Sequence, residues 1–222
     1  MTSEIIMVSK PKSVVAESIR TLRTNLQFTF INDDVKVVMV TSSVPAEGKS
    51  FLSANLACAF ALVNTKVLLV DCDMRRGRQT KLFGSKTTTG LSNLLLDDIK
   101  NYKKYIEKTS VDNLYLLPSG IVPPNPSELL GSEKNNELFK MLKKDYDLIV
   151  LDCPPVNAVT DTLVLSQLAD EAVLVCKYKS TPMDLLVSSK KALENTKVKF
   201  AGVVMNGTEA GRNKYYYGKY YK

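Results

Sequence analysis

Short apolar runs and segments with helical spacing alternate along most of the chain. The runs are rich in β-branched residues and continuously apolar, which is typical of strands buried on both faces of a parallel sheet. The predicted strands are Val35–Val40, Val67–Val70, Leu114–Leu117, Leu148–Leu151, Ala172–Cys176 and Phe200–Met205. The predicted helices are Ser13–Phe30, Lys49–Val63, Glu133–Lys144, Asp161–Leu168 and Met183–Thr196.

This alternation indicates one α/β domain with a doubly wound, mostly parallel sheet flanked by helices. The chain has 222 residues, 45% of them hydrophobic, which is enough for a substantial core. We predict a nucleotide-binding domain at residues 35–206, preceded by an N-terminal segment at 1–34 that contains the first helix. Residues 207–222 hold five of the ten tyrosines and little aliphatic surface, so we expect a flexible tail. The proline-rich stretch 120–131 is expected to be an ordered loop that leads into a helix.

Composition excludes several kinds of chemistry. The chain has no histidine, so no histidine-based catalytic triad is available. Its four cysteines lie far apart in apolar runs, without the C-x-x-C spacing of a zinc site, and we expect them to be reduced and buried. No segment approaches the roughly 18 apolar residues of a membrane helix. The net charge of +7 is weak evidence for nucleic acid or lipid binding, and we expect a soluble protein that binds no nucleic acid.

The loop after the first strand carries the pattern of a phosphate-binding loop. It ends in Gly48-Lys49-Ser50 and runs directly into a helix, which is the context such loops require. Backbone N–H groups at the helix start would face phosphates, Lys49 would contact the β and γ phosphates, and Ser50 would bind magnesium. The expected nucleotide-binding residues are Ser43, Val44, Pro45, Ala46, Glu47, Gly48, Lys49, Ser50 and Phe51. Ser43 stands where the full motif has its first glycine.

Acidic residues follow two of the buried strands. Asp71 and Asp73 end one strand, and Asp152 ends another. Because ligands bind at the carboxyl ends of parallel strands, these acids are expected to meet Lys49 and Ser50. Asp152 fits a magnesium-organising role. Asp71 and Asp73 fit one metal-linked and one proton-accepting role, in an order that the sequence leaves open.

Taken together, these motifs resemble the bacterial tyrosine kinases, cytoplasmic kinases that regulate capsular and exopolysaccharide synthesis. Ser43–Ser50 resembles the family's Walker A motif, Asp71–Arg75 its Walker A′ motif and Leu148–Pro155 its Walker B motif. Pro123–Leu130 resembles its proline-rich loop. The resemblance covers nearly the whole length and extends to a C-terminal tyrosine cluster at Tyr215, Tyr216, Tyr217, Tyr220 and Tyr221.

The resemblance implies a P-loop kinase that uses ATP and Mg²⁺ to phosphorylate its own tyrosine cluster. It also implies a ring-like homo-oligomer and a transmembrane activator of the polysaccharide co-polymerase type, here as a separate chain. The kinase would be cytoplasmic and would reach the inner face of the cell membrane only through that activator. Phosphorylation adds about −1.5 to −2 charges per tyrosine, and we hypothesise that it releases the tail from a neighbouring subunit and dissolves the ring.

Glu17, Arg20 and Arg23 match the family's E-x-x-R-x-x-R self-association motif. Their spacing places them on one face of a helix, where they could meet carboxylates of a neighbouring subunit. The alternative is a solvated charged face with an internal ion pair.

Two positions leave open questions. Ala46 stands where the family usually has glycine, so either its methyl group weakens phosphate binding or the loop needs no positive φ there, which we favour. Asn206 ends the last strand, where related folds contact the nucleotide base.

Two other functions remain open from the sequence. Partitioning and cell-division ATPases share the fold but carry K-G-G-x-G-K, and this chain has Val44 in place of the signature lysine. A nucleotide-binding regulatory scaffold without catalysis is the other possibility, although the chain retains all the expected catalytic side chains.

Overall fold

A computed structural model describes residues 2–30 and 35–208, which build a seven-stranded sheet between two layers of helices. The strand order is β3-β4-β2-β5-β1-β6-β7, and every pairing is parallel except that of β3 with β4. The strands are β1 (Val37–Ser42), β2 (Val67–Asp71), β3 (Glu107–Lys108), β4 (Leu114–Leu117), β5 (Leu148–Asp152), β6 (Glu171–Lys177) and β7 (Lys199–Asn206).

The helices differ widely in length. The long ones are α2 (Val14–Phe30), α3 (Lys49–Ala61), α7 (Glu133–Asp145) and α9 (Met183–Glu194). The short ones are α1 (Ile6–Ser9), α4 (Gln79–Phe83), α5 (Leu91–Leu96), α6 (Pro126–Leu130) and α8 (Asp161–Leu165), with a 3₁₀-helix at Ile99–Tyr105.

Each predicted strand is present within two residues of its expected bounds, so the prediction of a doubly wound, mostly parallel sheet is confirmed. The two-residue strand β3 was not predicted, because it is too short to show a period. The helices α1, α4 and α5 escaped prediction for the same reason. Helix α8 ends at Leu165, three residues before its predicted end, and α6 occupies the second half of the predicted proline-rich loop.

The strands are buried on both faces, as their apolar runs predicted. Val37 and Met39 of β1 pack in one core, whereas Val38 and Val40 pack in the other. Helix α3 covers the second face and is itself almost entirely buried. The N-terminal segment adds to this core on the outer side of α3 through Ile5, Met7, Ala16, Ile19 and Leu26.

The sheet topology places the functional loops at one edge. Strand β1 lies between β5 and β6, and β2 lies on the far side of β5. The loops that follow β1, β2 and β5 therefore meet at the carboxyl edge of the sheet. Ligands of open α/β sheets bind at this edge, at the point where the strand order reverses. All four cysteines are free and buried, as predicted. Within the described ranges, no helix is both long and apolar enough to cross a membrane.

Candidate active site

The loop between β1 and α3 leaves no room for a side chain at the point where it enters the helix. Gly48 caps α3 with a φ of 99°, a left-handed conformation that favours glycine. A Cβ atom at Gly48 would lie 2.1 Å from Nδ2 of Asn206. That amide donates a hydrogen bond of 2.9 Å to the carbonyl oxygen of Glu47. Any side chain at position 48 would therefore clash with Asn206 and distort the loop.

Glu47 supports the loop from the inside. Its side chain is buried, and its Oε2 accepts a hydrogen bond of 2.9 Å from the backbone N–H of Val44. Its Oε1 accepts a hydrogen bond from the hydroxyl of Thr181, which follows β6. The carboxylate thus ties the turn of the loop to the neighbouring strand. The sequence placed Glu47 in the loop but gave no sign of this bracing role.

The expectation that Ala46 needs no positive φ is wrong. Its φ is 66°, in the left-handed region where L-residues other than asparagine and aspartate are uncommon. The side chain is exposed on the wall of the cavity beside Lys49. Position 46 thus has the conformation for which a glycine is suited, and the alanine holds it at a cost of about 1–2 kcal/mol.

Replacing Ala46 by glycine should stabilise the protein. We expect Ala46→Gly to raise the free energy of unfolding by about 1 kcal/mol, because glycine adopts positive φ without a Cβ clash. Urea denaturation of both proteins measures this. Ala61→Gly in the last turn of α3 is the control and should be destabilising. A lower free energy of unfolding in Ala46→Gly would show that alanine is not strained at this position.

Lys49 lies among carboxylates, as predicted. Its Nζ is 2.9 Å from Oδ2 of Asp73 and 3.4 Å from Oδ1 of Asp152. The Oγ of Ser50 is 3.3 Å from the same Nζ. Burial opposes the charge, but Asp152 and Asp73 outweigh it and raise the pKa of Lys49 above its usual value. Lys49 is therefore a fixed positive charge at the start of α3.

Asp71 is fully buried beside Asp152, its register partner in the parallel pair of β2 and β5. Its Oδ2 accepts a hydrogen bond of 3.0 Å from the backbone N–H of Gln79. Burial, together with the charge of Asp152, raises the pKa of Asp71 from 3.8 to about 8. Asp73 instead borders the cavity beside Lys49. The two acids of the Asp71–Asp73 pair thus have different environments.

Gln79 joins these groups, and sequence analysis missed it. The residue is fully buried at the start of α4. Its Nε2 donates to Oδ2 of Asp152 at 2.8 Å and to the carbonyl oxygen of Ser50 at 3.0 Å. No motif marks a single glutamine eight residues after a strand-end acid, so only the folded geometry reveals the bridge.

Removal of this amide should destabilise the site. We expect Gln79→Leu to lower the free energy of unfolding by about 1–3 kcal/mol, because a buried carboxylate oxygen of Asp152 loses its donor. Guanidinium denaturation provides the measurement, and Gln167→Leu, at an exposed position, serves as the matched control. Equal effects at both positions would argue against the bridge.

A cavity of about 380 Å³ opens beside Lys49 and Ser50. This volume falls within the range of about 300–1,000 Å³ of small-molecule sites. Its walls come from the loops after β1, β2 and β5 and include Pro45, Ala46, Asp73, Arg75, Pro154 and Pro155. The loop cradle at Gly48 and the cation of Lys49 at its base suit a chain of phosphates.

The donor set is also compatible with magnesium. Within the described residues, no three or more acidic or cysteine side chains form a ready-made metal cage. Mg²⁺ seldom uses such cages and is usually held by one or two carboxylates, waters and the phosphates of the substrate. The hydroxyl of Ser50 and the carboxylate of Asp152 both lie within 3.4 Å of Nζ of Lys49 and would supply these ligands.

Asn206 and Phe51 lie near the loop and line a common cavity. Asn206 uses its amide to hold the loop, and its Oδ1 accepts a hydrogen bond of 2.8 Å from the N–H of Gly207. This cavity of about 280 Å³ lies between α2, α3 and β7. A contact of Asn206 with a nucleotide base stays a prediction.

The predicted self-association residues are engaged within the chain. Glu17 pairs with Arg20 at 2.8 Å, which is the internal ion pair of the alternative reading. Arg20 also donates to the carbonyl oxygen of Pro11, and Arg23 donates at 3.1 Å to the carbonyl oxygen of Ala59. Each is nonetheless partly exposed. The predicted phosphorylation sites at 215–217 and 220–221 lie outside the described residues.

Comparisons with known proteins agree with this geometry. Residues 35–197 match the family model described as an AAA domain. The chain is 37% identical to the tyrosine-protein kinase YwqD of Bacillus subtilis over 97% of its length and 91% of that protein. It is 36% identical to the tyrosine-protein kinase Wzc of Salmonella typhimurium, covering 92% of this chain and 28% of that protein.

The fold is shared with a solved structure of the same family. The crystal structure of the chimerical protein CapA2B2 superposes with a TM-score of 0.87 at 36% identity, covering 92% of this chain and 90% of that one. The resemblance drawn from the loop, the strand-end acids and the tyrosine cluster is therefore confirmed. The chain belongs to the bacterial tyrosine-protein kinases and carries their P-loop fold.

Proposed function

We propose that this protein transfers the γ-phosphoryl group of ATP, with Mg²⁺, to tyrosines of its own C-terminal cluster. The observation that carries the proposal is the position of Lys49, between Asp73 and Asp152 at the base of an open cavity. A kinase needs a proton acceptor at the cavity, and Asp73, which borders the cavity beside Lys49, would take this role.

Each side chain then has a defined part in the transfer. Lys49 would bind the β and γ phosphates, and the backbone N–H groups at the start of α3 would hold their oxygens. The tyrosine hydroxyl would attack the γ-phosphorus, its proton would pass to Asp73, and ADP would leave. Magnesium, when bound, would neutralise charge on the phosphate oxygens. Asp152 would hold Lys49 and bind the metal, and Asp71 would support Asp152 from the neighbouring strand.

We further propose that the reaction occurs in trans within a ring-like homo-oligomer. The partly exposed face of α2 that carries Glu17, Arg20 and Arg23 is the proposed contact surface. Double replacement of Arg20 and Arg23 by alanine should reduce the solution mass measured by light scattering to that of a monomer. Lys140→Ala, which removes one exposed charge from α7, should leave the mass unchanged. An unchanged mass in the double variant would reject this surface.

Membership of the tyrosine-protein kinase family supports a proposal for the biological role. We propose that the kinase regulates capsular or exopolysaccharide synthesis and export. Its activator would be a transmembrane protein of the polysaccharide co-polymerase type, which recruits this cytoplasmic chain to the inner face of the membrane. Membrane contact would be made by that partner alone.

Mass spectrometry of the purified protein tests the activity. After incubation with ATP and Mg²⁺, phosphate is expected on the tyrosines at 215–217 and 220–221. A variant with phenylalanine at these five positions should carry none in this segment. Hydrolysis of ATP without any phosphotyrosine, even when the cytoplasmic segment of an activator is added, would favour a positioning ATPase. Nucleotide binding without hydrolysis would favour a regulatory scaffold.

A further inference from the structure

A third cavity adjoins the active site and has no assigned ligand. It measures about 280 Å³ and lies between the loop after β2 and the loop after β4. It shares Arg75 and Arg76 with the cavity beside Lys49, so the two cavities are neighbours along one groove. We call it the threonine cavity; its lining includes Arg75, Arg76, Thr80, Thr87, Thr88 and Ser119.

The chemistry of the threonine cavity is that of an anion site. Two guanidinium groups and several hydroxyls line it, and none of the described residues in its lining carries a carboxylate. Arg75 is partly neutralised by Asp161, whose Oδ2 lies 3.2 Å from its Nε. Arg76 is exposed and makes no side-chain hydrogen bond or ion pair within the part of the chain that the structure describes. The guanidinium of Arg76 is therefore available to bind a phosphate monoester, and the neighbouring hydroxyls can donate further hydrogen bonds to the phosphate oxygens.

Apolar surface at the cavity is confined to its rim. Val122 is 67% exposed there, whereas Met74 and Pro118 are buried behind the wall. The ring of a phosphotyrosine would pack against Val122, which a phosphate alone would leave uncovered. The volume lies just below the range for small-molecule sites, about 300–1,000 Å³, and therefore suits one side chain better than a nucleotide.

We infer that the threonine cavity binds a phosphotyrosine of the tail of another copy of this chain, beside the tyrosine that is being phosphorylated. The inference rests on the proposed kinase function. In an extended peptide, residues two positions apart lie on the same side about 7 Å apart. Tyr215 and Tyr217 have this spacing in the sequence. A first phosphate would thus anchor the tail for the next transfer and make multiple phosphorylation cooperative.

Calorimetric titration of tail peptides tests the site without catalysis. The peptide of residues 212–222 with phosphate on Tyr217 should bind the wild-type chain at least tenfold more tightly than the unmodified peptide. Thr88→Glu, which places a carboxylate in the cavity, should remove this preference. Thr89→Glu, one residue away and outside the cavity lining, should retain it. Arg76→Gln should weaken phosphopeptide binding about tenfold, and Lys86→Gln should not.

The outcomes separate this site from other possibilities. Equal binding of the two peptides by the wild-type chain, or equal losses in the Thr88 and Thr89 variants, would overturn the inference. Displacement of the phosphopeptide by inorganic phosphate as readily as by phosphotyrosine would also overturn it, since that marks a general anion site. If the wild-type chain prefers the phosphopeptide but mass spectrometry finds no tyrosine phosphorylation, the phosphotyrosine site is upheld and the kinase function is rejected.

Discussion

Replacement of Lys49 by methionine should abolish tyrosine phosphorylation, with a fall in rate of at least about 1,000-fold. Methionine keeps the length of the side chain but removes the charge that lies between Asp73 and Asp152. The phosphates would lose their cation, and the transition state would lose its main electrostatic support. Quantitative phosphotyrosine mass spectrometry measures the fall.

The same change should also destabilise the free protein. The carboxylates of Asp73 and Asp152 would remain buried without their cation. Removal of one partner of a buried ion pair lowers the free energy of unfolding by about 3 kcal/mol. A second substitution, Asp152→Asn, should therefore recover part of the stability of Lys49→Met without restoring activity. Circular dichroism shows whether the variant is folded. If the folded Lys49→Met variant keeps full tyrosine-kinase activity, the assignment of the cavity beside Lys49 as the phosphate-binding site is wrong.

Asp71→Asn should make the protein more stable at alkaline pH. The pKa of Asp71 rises from 3.8 to about 8 in the folded protein, so between these values the folded state binds more protons than the unfolded state. The stability of the wild type consequently falls as pH rises through this window. The asparagine variant is free of this loss, because it never carries the buried charge.

Thermal unfolding without nucleotide or magnesium provides the measurement. We expect Asp71→Asn to gain at least about 3 °C in Tm over the wild type at pH 8.5, and much less at pH 4.5. Asp112→Asn, at an exposed position, should show no such dependence. A constant difference at both pH values would mean that Asp71 does not carry the raised pKa.

Much of the fold was predictable because the strands of a covered parallel sheet carry a strong signal. Val37–Val40 and Leu148–Leu151 are continuously apolar, since one residue after another enters the core on alternate faces. The convergence of Asp71, Asp73 and Asp152 on Lys49 followed from the rule that strand ends share one edge. In the structure Asp73 and Asp152 lie within 3.4 Å of Nζ of Lys49, and Asp71 lies beside Asp152.

The remaining features depend on contacts that no local pattern encodes. Gln79 reaches Asp152 from the start of α4, and Glu47 reaches Thr181 beyond the end of the neighbouring strand β6. The positive φ of Ala46 was missed because alanine rarely adopts this conformation. Short elements such as β3 carry too few residues to show a period.

A mixed phosphorylation experiment tests the central claim most directly. An isotope-labelled Lys49→Met chain with an intact tyrosine cluster is incubated, with ATP and Mg²⁺, with an unlabelled chain whose tail tyrosines are replaced by phenylalanine. Only the second chain has a complete site, and only the first has an acceptor. We expect phosphate on the tail tyrosines of the labelled chain. ATP hydrolysis that leaves these tyrosines unmodified would contradict the account.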